Sequence, residues 1–285
     1  MMKSGRQLLD HVAPVQTWSW TESDFILYAL CLGMGDDPTD LRALSFVYED
    51  GLKVVPTMAT VLAWVAEPTF TRLGVDPLTA LHGQQKIVLH RQPAAPATVR
   101  LQGKVIAVQD KGMGRGALIS TEHLITDASD GEPIATLTTS CFGRSEGGMG
   151  SSGAVESPHV VPGRSPDRTL EYRTAPNLAL LYRLTGDRNP IHADPAVALR
   201  AGFPQPILHG QCTFGMSCRA VLETYAGYDP SCIVSHQARF SAPVFPGETL
   251  LIDLWRDGEV VSFEVRVKER DVVVIKHGKS VLRSA

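Results

Sequence analysis

A segment unable to pack a core divides this chain near its middle. Residues 143 to 168 open as Gly143-Arg-Ser-Glu-Gly-Gly-Met-Gly-Ser-Ser-Gly-Ala and run on through Pro158, Pro162 and Pro166. Such Gly, Ser and Pro composition costs much conformational entropy to order and reads as a linker. It separates residues 1–142 from residues 169–285. That division agrees with the rough expectation of ~150 residues per domain.

The two sides of the linker repeat one pattern. The first carries Tyr28-Ala-Leu-Cys-Leu-Gly33 followed by Asp36-Asp37-Pro38; the second carries Tyr182-Arg-Leu-Thr-Gly186 followed by Asp187-Arg-Asn189-Pro190. Each then starts another helical stretch, Pro56-Thr57-Met58-Ala59-Thr60-Val61-Leu62 and Gly210-Gln211-Cys212-Thr213-Phe214-Gly215-Met216. Each turns next to β-rich sequence with a proline bend, at Pro93 and at Pro243. Chance likeness of short turns is the alternative, but element order, spacing and composition agree together, so a duplicated unit is the reading adopted.

The local patterns fit one α+β unit used twice. Thr174-Ala-Pro176 marks a helix start, and Pro190 is expected to end that helix, biasing Asn189 towards extended geometry. Residues 210 to 225 lack proline and place Phe214, Cys218, Val221 and Leu222 at helical spacing, as a buried helix would. Ala66-Glu67-Pro68 cuts the corresponding first-half helix short, and Pro77 follows in a loop-like run. Short alternating runs read as antiparallel strands: Ala97 to Gln109, Gly116 to Asp127 and Glu132 to Phe142, then Val234 to Phe240, Thr249 to Arg256, Val260 to Val267 and Val272 to His277. Asp257-Gly258 supplies a hairpin turn.

Composition excludes several functions. Twenty-seven basic against thirty acidic residues give a net charge of −3, which offers no attraction to nucleic acid or an anionic membrane. No stretch approaches the ~20 apolar residues of a membrane span, and the N-terminus lacks the apolar core of a signal peptide. The tail Leu282-Arg283-Ser284-Ala285 is not a peroxisomal address. Cys31, Cys141, Cys212, Cys218 and Cys232 are odd in number and form no C-x-x-C pair, so a reducing cytoplasm is expected. The histidines show no H-x-x-x-H spacing, so no metal is expected.

The stretch Asp187-Arg-Asn189-Pro190-Ile-His192 gathers a carboxylate, an amide and an imidazole within six residues. Alternation in an extended segment would send Asp187 and Asn189 to one side, and the turn at Pro190 could return His192 towards them. Such a pair around one water can move one proton each way. The structural alternative is an Asx-type helix stop with His192 on the surface. Gly202-Phe-Pro204-Gln-Pro206-Ile-Leu-His209-Gly210 then leads into the apolar helix, whose N-terminal N–H groups could stabilise an oxyanion.

From Tyr182 through His192 to His209-Gly210, the sequence closely resembles the signature of the MaoC-like (R)-specific enoyl-CoA hydratases, or hydratase 2. Phe46-Val-Tyr48-Glu49, Leu81-His82-Gly83-Gln84-Gln85, Asp110-Lys111-Gly112-Met-Gly-Arg-Gly116 and Ala238-Arg239-Phe240-Ser-Ala-Pro243 extend the resemblance over nearly the whole chain. It implies a double hotdog fold in which antiparallel sheets wrap central helices. It implies hydration of trans-2-enoyl-CoA to (3R)-3-hydroxyacyl-CoA by a homodimer that needs no cofactor. Asp187 and His192 would be the catalytic pair, with Asp187 activating water and His192 protonating the α-carbon, although the sequence does not fix which does which. Asn189 would help hold the water and Gly210 N–H would meet the thioester oxygen. Substrate contacts would fall at His82, Gly83, Lys111, Arg188, Pro190, Ile191, Gly210 and Phe240. Asp36-Asp37-Pro38 lacks a following His, so the first half should be catalytically silent and house the acyl chain.

Other features read as structural. Gly112 to Gly116 is a hairpin turn, because β-like sequence follows where a phosphate loop needs a helix. Ser217 lies mid-helix and packs; Cys212 and Cys218 pack; His209 orients the loop before Gly210; Trp18 and Trp20 belong to core or interface. Two rival functions remain open at this level: a hotdog thioesterase using the same coenzyme A groove, and a non-catalytic acyl-CoA-binding subunit.

Overall fold

A computed structural model describes residues 4–64, 66, 68–76 and 80–283. Its helices are α1 (Gly5–Leu9), α2 (Glu22–Cys31), α3 (Leu41–Leu44), α4 (Ala59–Leu62), α5 (Leu178–Tyr182), α6 (Pro195–Arg200) and α7 (Gly210–Tyr225). Its first-half strands are β1 (Gln16–Trp20), β2 (Ala80–Leu89), β3 (Ala97–Asp110), β4 (Ala117–Asp127) and β5 (Pro133–Gly143). The second half adds β6 (Arg168–Arg173), β7 (Ile233–Phe240), β8 (Thr249–Asp257), β9 (Val260–Val267) and β10 (Val272–Leu282).

The ten strands form one antiparallel sheet in the order β1-β3-β4-β5-β2-β7-β10-β9-β8-β6. Reading inward from either edge gives the same connectivity, so β1 to β5 correspond to β6 to β10 about the β2–β7 seam. The duplication seen in the sequence is thus a topological repeat. The seam runs from Gln84↔Arg239 to Val88↔Ser235 and makes the two hotdog units one continuous sheet. Period-two alternation pointed to most of these strands because one sheet face is buried against helix while the other meets solvent; β3 runs buried and exposed by turns from Arg100 to Lys104.

Helix α7 lies in the concave face of the second sheet, with Gln211 through Leu222 buried in an unbroken run. A helix buried on every side calls for apolar or hydrogen-bonded residues all round, and most of this one's buried positions are of that kind. Ser217 Oγ donates to Phe214 O at 2.7 Å and also meets His236 Nε2 at 3.0 Å. The first-half counterpart is far shorter: a 3₁₀ turn at Pro56–Met58 leads into α4, which ends at Leu62. Glu67 and Pro77, part of the sequence argument for that shortening, lie outside the described residues. Thr60 of α4 and Ala63 just after it, with Leu137 and Thr139 on β5, line a cavity on the inner side of the first unit.

Three expectations need correction. Pro190 does not end the helix of the second half. Helix α5 stops at Tyr182, a 3₁₀ turn continues to Thr185, and Gly186 closes it at φ 138°, a value that suits glycine. The segment beyond Asp187 is not extended either, since Pro190 opens a 3₁₀ turn through His192. The 143–168 segment is more firmly tied than its composition suggests. Asp110 collects the N–H groups of Gly112, Gly148 and Gly150, Ser152 bridges Val108, and Glu146 is buried with Oε1 accepting from Asp76 N. Composition measures what side chains can bury, whereas these ties use backbone N–H groups that glycine leaves uncovered.

Smaller details also differ. The central residues of the β8–β9 hairpin are Gly258 and Glu259, with Gly258 at φ 64°. Gly112–Gly116 is indeed a hairpin connection, closed by Lys111 N–H donating to Gly116 O. Trp20 is buried, while Trp18 is half exposed beside it.

Candidate active site

The site is assembled by two turns and one helix end. After Gly186 the chain places Asp187 so that Oδ1 accepts the Asn189 N–H at 3.0 Å. Asn189 Oδ1 accepts from Ile191 N–H at 3.1 Å and caps the 3₁₀ turn. That tight turn at Pro190 swings His192 back. Its Nε2 lies 3.8 Å from Asp187 Oδ2, with both side chains largely buried. The Asx turn expected of a structural stop is therefore present, and it is what brings the pair together.

His192 Nδ1 donates to the Ile207 carbonyl at 2.8 Å. A carbonyl only accepts, so this bond fixes the tautomer and leaves Nε2 as the exchangeable position facing Asp187. Burial pushes the Asp187 carboxyl up and the His192 imidazole down, and each partner's charge opposes the shift of the other. The groups titrate as a pair, and Nε2 and the Asp187 carboxyl are the two places its mobile proton can reside.

His209 supports them from behind. Its ring stacks on His192 at 3.7 Å between centroids, and Nε2 donates to Asp187 O at 3.1 Å. Burial first, and then the charge of His192, pushes His209 down to about 2, so it stays neutral and holds the Asp187 loop in place. Asp187, His192 and His209 also bring possible metal ligands within 4.8 Å of one another. Each ring has one nitrogen engaged by a carbonyl.

Gly210 begins α7 directly after His209. N–H groups in the first turn of a helix have no partner within it and carry partial positive charge. A Cβ at Gly210 would meet the Phe240 ring at 3.2 Å, so glycine is what lets this helix end and that aromatic face close on one point. Phe240 in turn lies 4.6 Å from the His82 ring, whose buried Nε2 has no partner and whose imidazole burial pushes down to about 4.

All the residues singled out from sequence line one cavity of about 1090 Å³: Asp187, Asn189, His192 and Gly210, with His82, Gly83, Lys111, Arg188, Pro190, Ile191 and Phe240. Asn189 differs from expectation in one respect, because its side-chain oxygen is committed to Ile191 and its amide nitrogen is what remains for a water. Arg144 and Arg239 also line the cavity as exposed cations beside Lys111 and Arg188, and were not singled out. The available signal was positional: Arg144 follows the end of β5 and Arg239 precedes Phe240. Trp64, Gln85 and Gln211 line it too and were likewise not singled out.

A continuous sheet wrapped on two unequal helices, with one acid–base pair at the head of the longer, defines the class of double hotdog proteins. Comparison with known proteins narrows the class. Residues 158–277 match the MaoC like domain and residues 18–145 match the MFE-2 hydratase 2 N-terminal domain. The chain is similar to Enoyl-CoA hydratase ChsH3 of Mycobacterium tuberculosis, 36% identical over 270 residues and 93% of each chain. It is similar to peroxisomal Enoyl-CoA hydratase 2 of Arabidopsis thaliana, 36% identical over 94% of this chain and 92% of that one. Among solved structures, a MaoC-like dehydratase from Phytophthora capsici superposes with a TM-score of 0.87 at 31% identity, covering 98% of this chain and 97% of that one. The chain belongs to the MaoC-like hydratase 2 family.

Proposed function

We propose that this protein is a lyase that adds water across the double bond of a trans-2-enoyl-CoA to give the (3R)-3-hydroxyacyl-CoA, and reverses that reaction. Its family membership supports the activity. The observation that carries the chemistry is the Asp187–His192 pair, 3.8 Å apart on a deep cavity beside the free N–H groups of α7.

The pair holds one mobile proton. Water oxygen bonds to C3, one member takes a proton from that water, and the other gives its proton to C2. The electron pair of the double bond passes through the thioester oxygen, where Gly210 N–H steadies the negative charge, and returns to C2 as the new C–H bond. Assigning water activation to Asp187 places the starting proton on His192; the reverse assignment places it on Asp187. Both have the same total protonation, and burial, which raises Asp187 and lowers His192, favours the neutral pair. No metal or redox cofactor enters, because the thioester itself makes C3 electrophilic. Lys111 and Arg188 meet coenzyme A phosphates, His82, Gly83 and Phe240 flank the thioester arm, Pro190 and Ile191 shape the pocket beside the pair, and the first half takes the acyl chain.

The reading includes a cytoplasmic homodimer that binds neither nucleic acid nor membrane. All five cysteines are unpaired, and among the described residues no helix is long and apolar enough to cross a membrane. Leu30, Leu180, Leu181 and Leu184 present exposed apolar surface on and beside the adjacent helices α2 and α5. Loss of enoyl thioester absorbance on mixing with trans-2-enoyl-CoA tests the activity, and coupling to hand-specific 3-hydroxyacyl-CoA dehydrogenases reads the product. Signal with the (3R)-specific enzyme is expected. Free thiol release without hydration would point to a thioesterase instead.

A further inference from the structure

Part of the cavity wall beyond the acid–base pair is more polar than a plain acyl chain calls for. Thr121, Thr139 and Gln85 stand side by side on β4, β5 and β2, where Thr121 pairs with Thr139 and Thr139 with Gln85. Gln211, the residue after Gly210, reaches this row from α7. All four line the cavity, and Thr121, Gln85 and Gln211 are only 0%, 1% and 7% exposed.

The hydrogen bonds fix both amides. Gln85 Nε2 donates to the carbonyls of Lys86 at 3.3 Å and Thr138 at 3.4 Å, which turns Oε1 the other way. That oxygen accepts from Thr139 Oγ1 at 3.0 Å and from Gln211 Nε2 at 2.7 Å. Gln211 thereby turns its nitrogen, through one N–H, towards Gln85, and its Oε1 is left as a buried acceptor without a protein partner; Thr121 Oγ1 is unpartnered as well. A buried polar atom without a partner is destabilising, so such atoms call for an explanation.

We propose that the preferred acyl chain carries a hydroxyl group beyond the reacting double bond, and that this hydroxyl donates to Gln211 Oε1. The proposal rests on the hydratase reading, which places the acyl chain in this part of the cavity. Gln211 Oε1 can only accept, so it selects a donor. A ketone or methyl ether at the same carbon would set two acceptors against each other, and a plain methylene would leave the oxygen unpaired. Thr121, which can both give and take, offers a second polar contact farther along the same row.

The test compares trans-2-enoyl-CoAs of one chain length that differ at a single carbon beyond the double bond: methylene, hydroxyl, ketone or methyl ether, with the position of substitution scanned along the chain. The wild-type protein is expected to show kcat/KM for the hydroxyl compound roughly tenfold or more above the other three at one position. Gln211→Leu should erase that preference, and the longer Gln211→Met serves if the Leu variant folds poorly. Equal kcat/KM for all four compounds at every position overturns the proposal, as does a hydroxyl preference that survives loss of Gln211. Either result would mean that the oxygen serves packing or holds a water. Failure of the wild-type protein to hydrate any of the four would instead count against the hydratase reading, so the two failures are distinct.

Discussion

Lowering the pH from 7 to about 4.5 should weaken this fold through three histidines that burial holds neutral, His236, His209 and His82. His236 has no exposed surface; Nε2 meets Ser217 Oγ at 3.0 Å and Nδ1 meets Ser280 Oγ at 2.5 Å, against the stacked ring of Phe263. Burial pushes its imidazole down to about 3, that of His209 down to about 2 and that of His82 down to about 4. In the unfolded chain all three titrate near ~6.5. Between those values the unfolded state binds protons that the folded state refuses, so stability falls as pH falls. At about 1.36 kcal/mol per pH unit, two units cost about 2.7 kcal/mol for each histidine and about 8 for the three. That is a large part of the ~5–15 kcal/mol by which a domain is stable. Asp187 and His192 shift in opposite directions and offset each other to first order. Asp110, Asp127 and Asp167 are held below the usual carboxylate range, chiefly by hydrogen bonds from Gly112, Ser129 and Arg256, so their losses come at lower pH. Urea unfolding followed by tryptophan fluorescence at both pH values measures the difference. With a slope of about 3 kcal/mol/M, the midpoint should fall by roughly 2.5 M. In His236→Gln, which cannot titrate, about a third of the pH dependence should vanish. A loss below about 1 kcal/mol, or an unaltered pH dependence in that variant, would refute the reasoning.

Asp187→Asn and His192→Gln should each lower kcat by ~10²–10⁴ at nearly unchanged affinity, with unaltered circular dichroism, and the double variant should lose far less than the product of the singles. Steady-state rates on one enoyl-CoA settle this, and near-wild-type turnover in folded Asp187→Asn would move the chemistry elsewhere. The open first-half cavity should accept medium to long chains, so crotonyl-CoA turning over far faster than decenoyl-CoA would contradict the placement of the acyl chain. Gly210→Ala should displace the Phe240 ring, which its Cβ would meet at 3.2 Å, and reduce kcat/KM on all chain lengths alike. A selective loss on long chains would assign Gly210 to the acyl pocket instead.

Strands and the central helix were legible because their periodicities are enforced by one buried sheet face and one wholly buried helix. The β3 to β5 and β7 to β10 runs begin within a residue or two of their expected starts, and α7 spans its expected residues. Strands β1, β2 and β6 were harder. β1 and β6 are short edge strands with mostly exposed side chains, and β2 is interrupted by the polar row ending in Gln85. The residues of the site were readable as a spacing, but its geometry was not. Extended alternation was the wrong reason to set Asp187 beside Asn189, since side-chain caps at those two residues fold the segment through local hydrogen bonds, while the turn at Pro190 does carry His192 back. His209 and Gln211 show why tertiary context matters: in sequence each is one polar residue at a helix start, and only stacking on His192 and pairing with Gln85 give them distinct positions.

The seam between β2 and β7 frees the fold from a symmetry constraint. In a pair of identical hotdog chains every substitution occurs twice. Shortening the central helix to widen one pocket would then also remove the helix whose first turn lies beside the Asp187–His192 pair. Once both units share a chain, α4 can stop at Leu62 while α7 runs intact to Tyr225. One unit is free to vary for volume while the other is held by chemistry, at the cost of one reaction centre for every two sheets. Substitutions on the inner face of β4 and β5 should therefore retune which acyl chains enter without disturbing the carboxyl–imidazole pair across the seam.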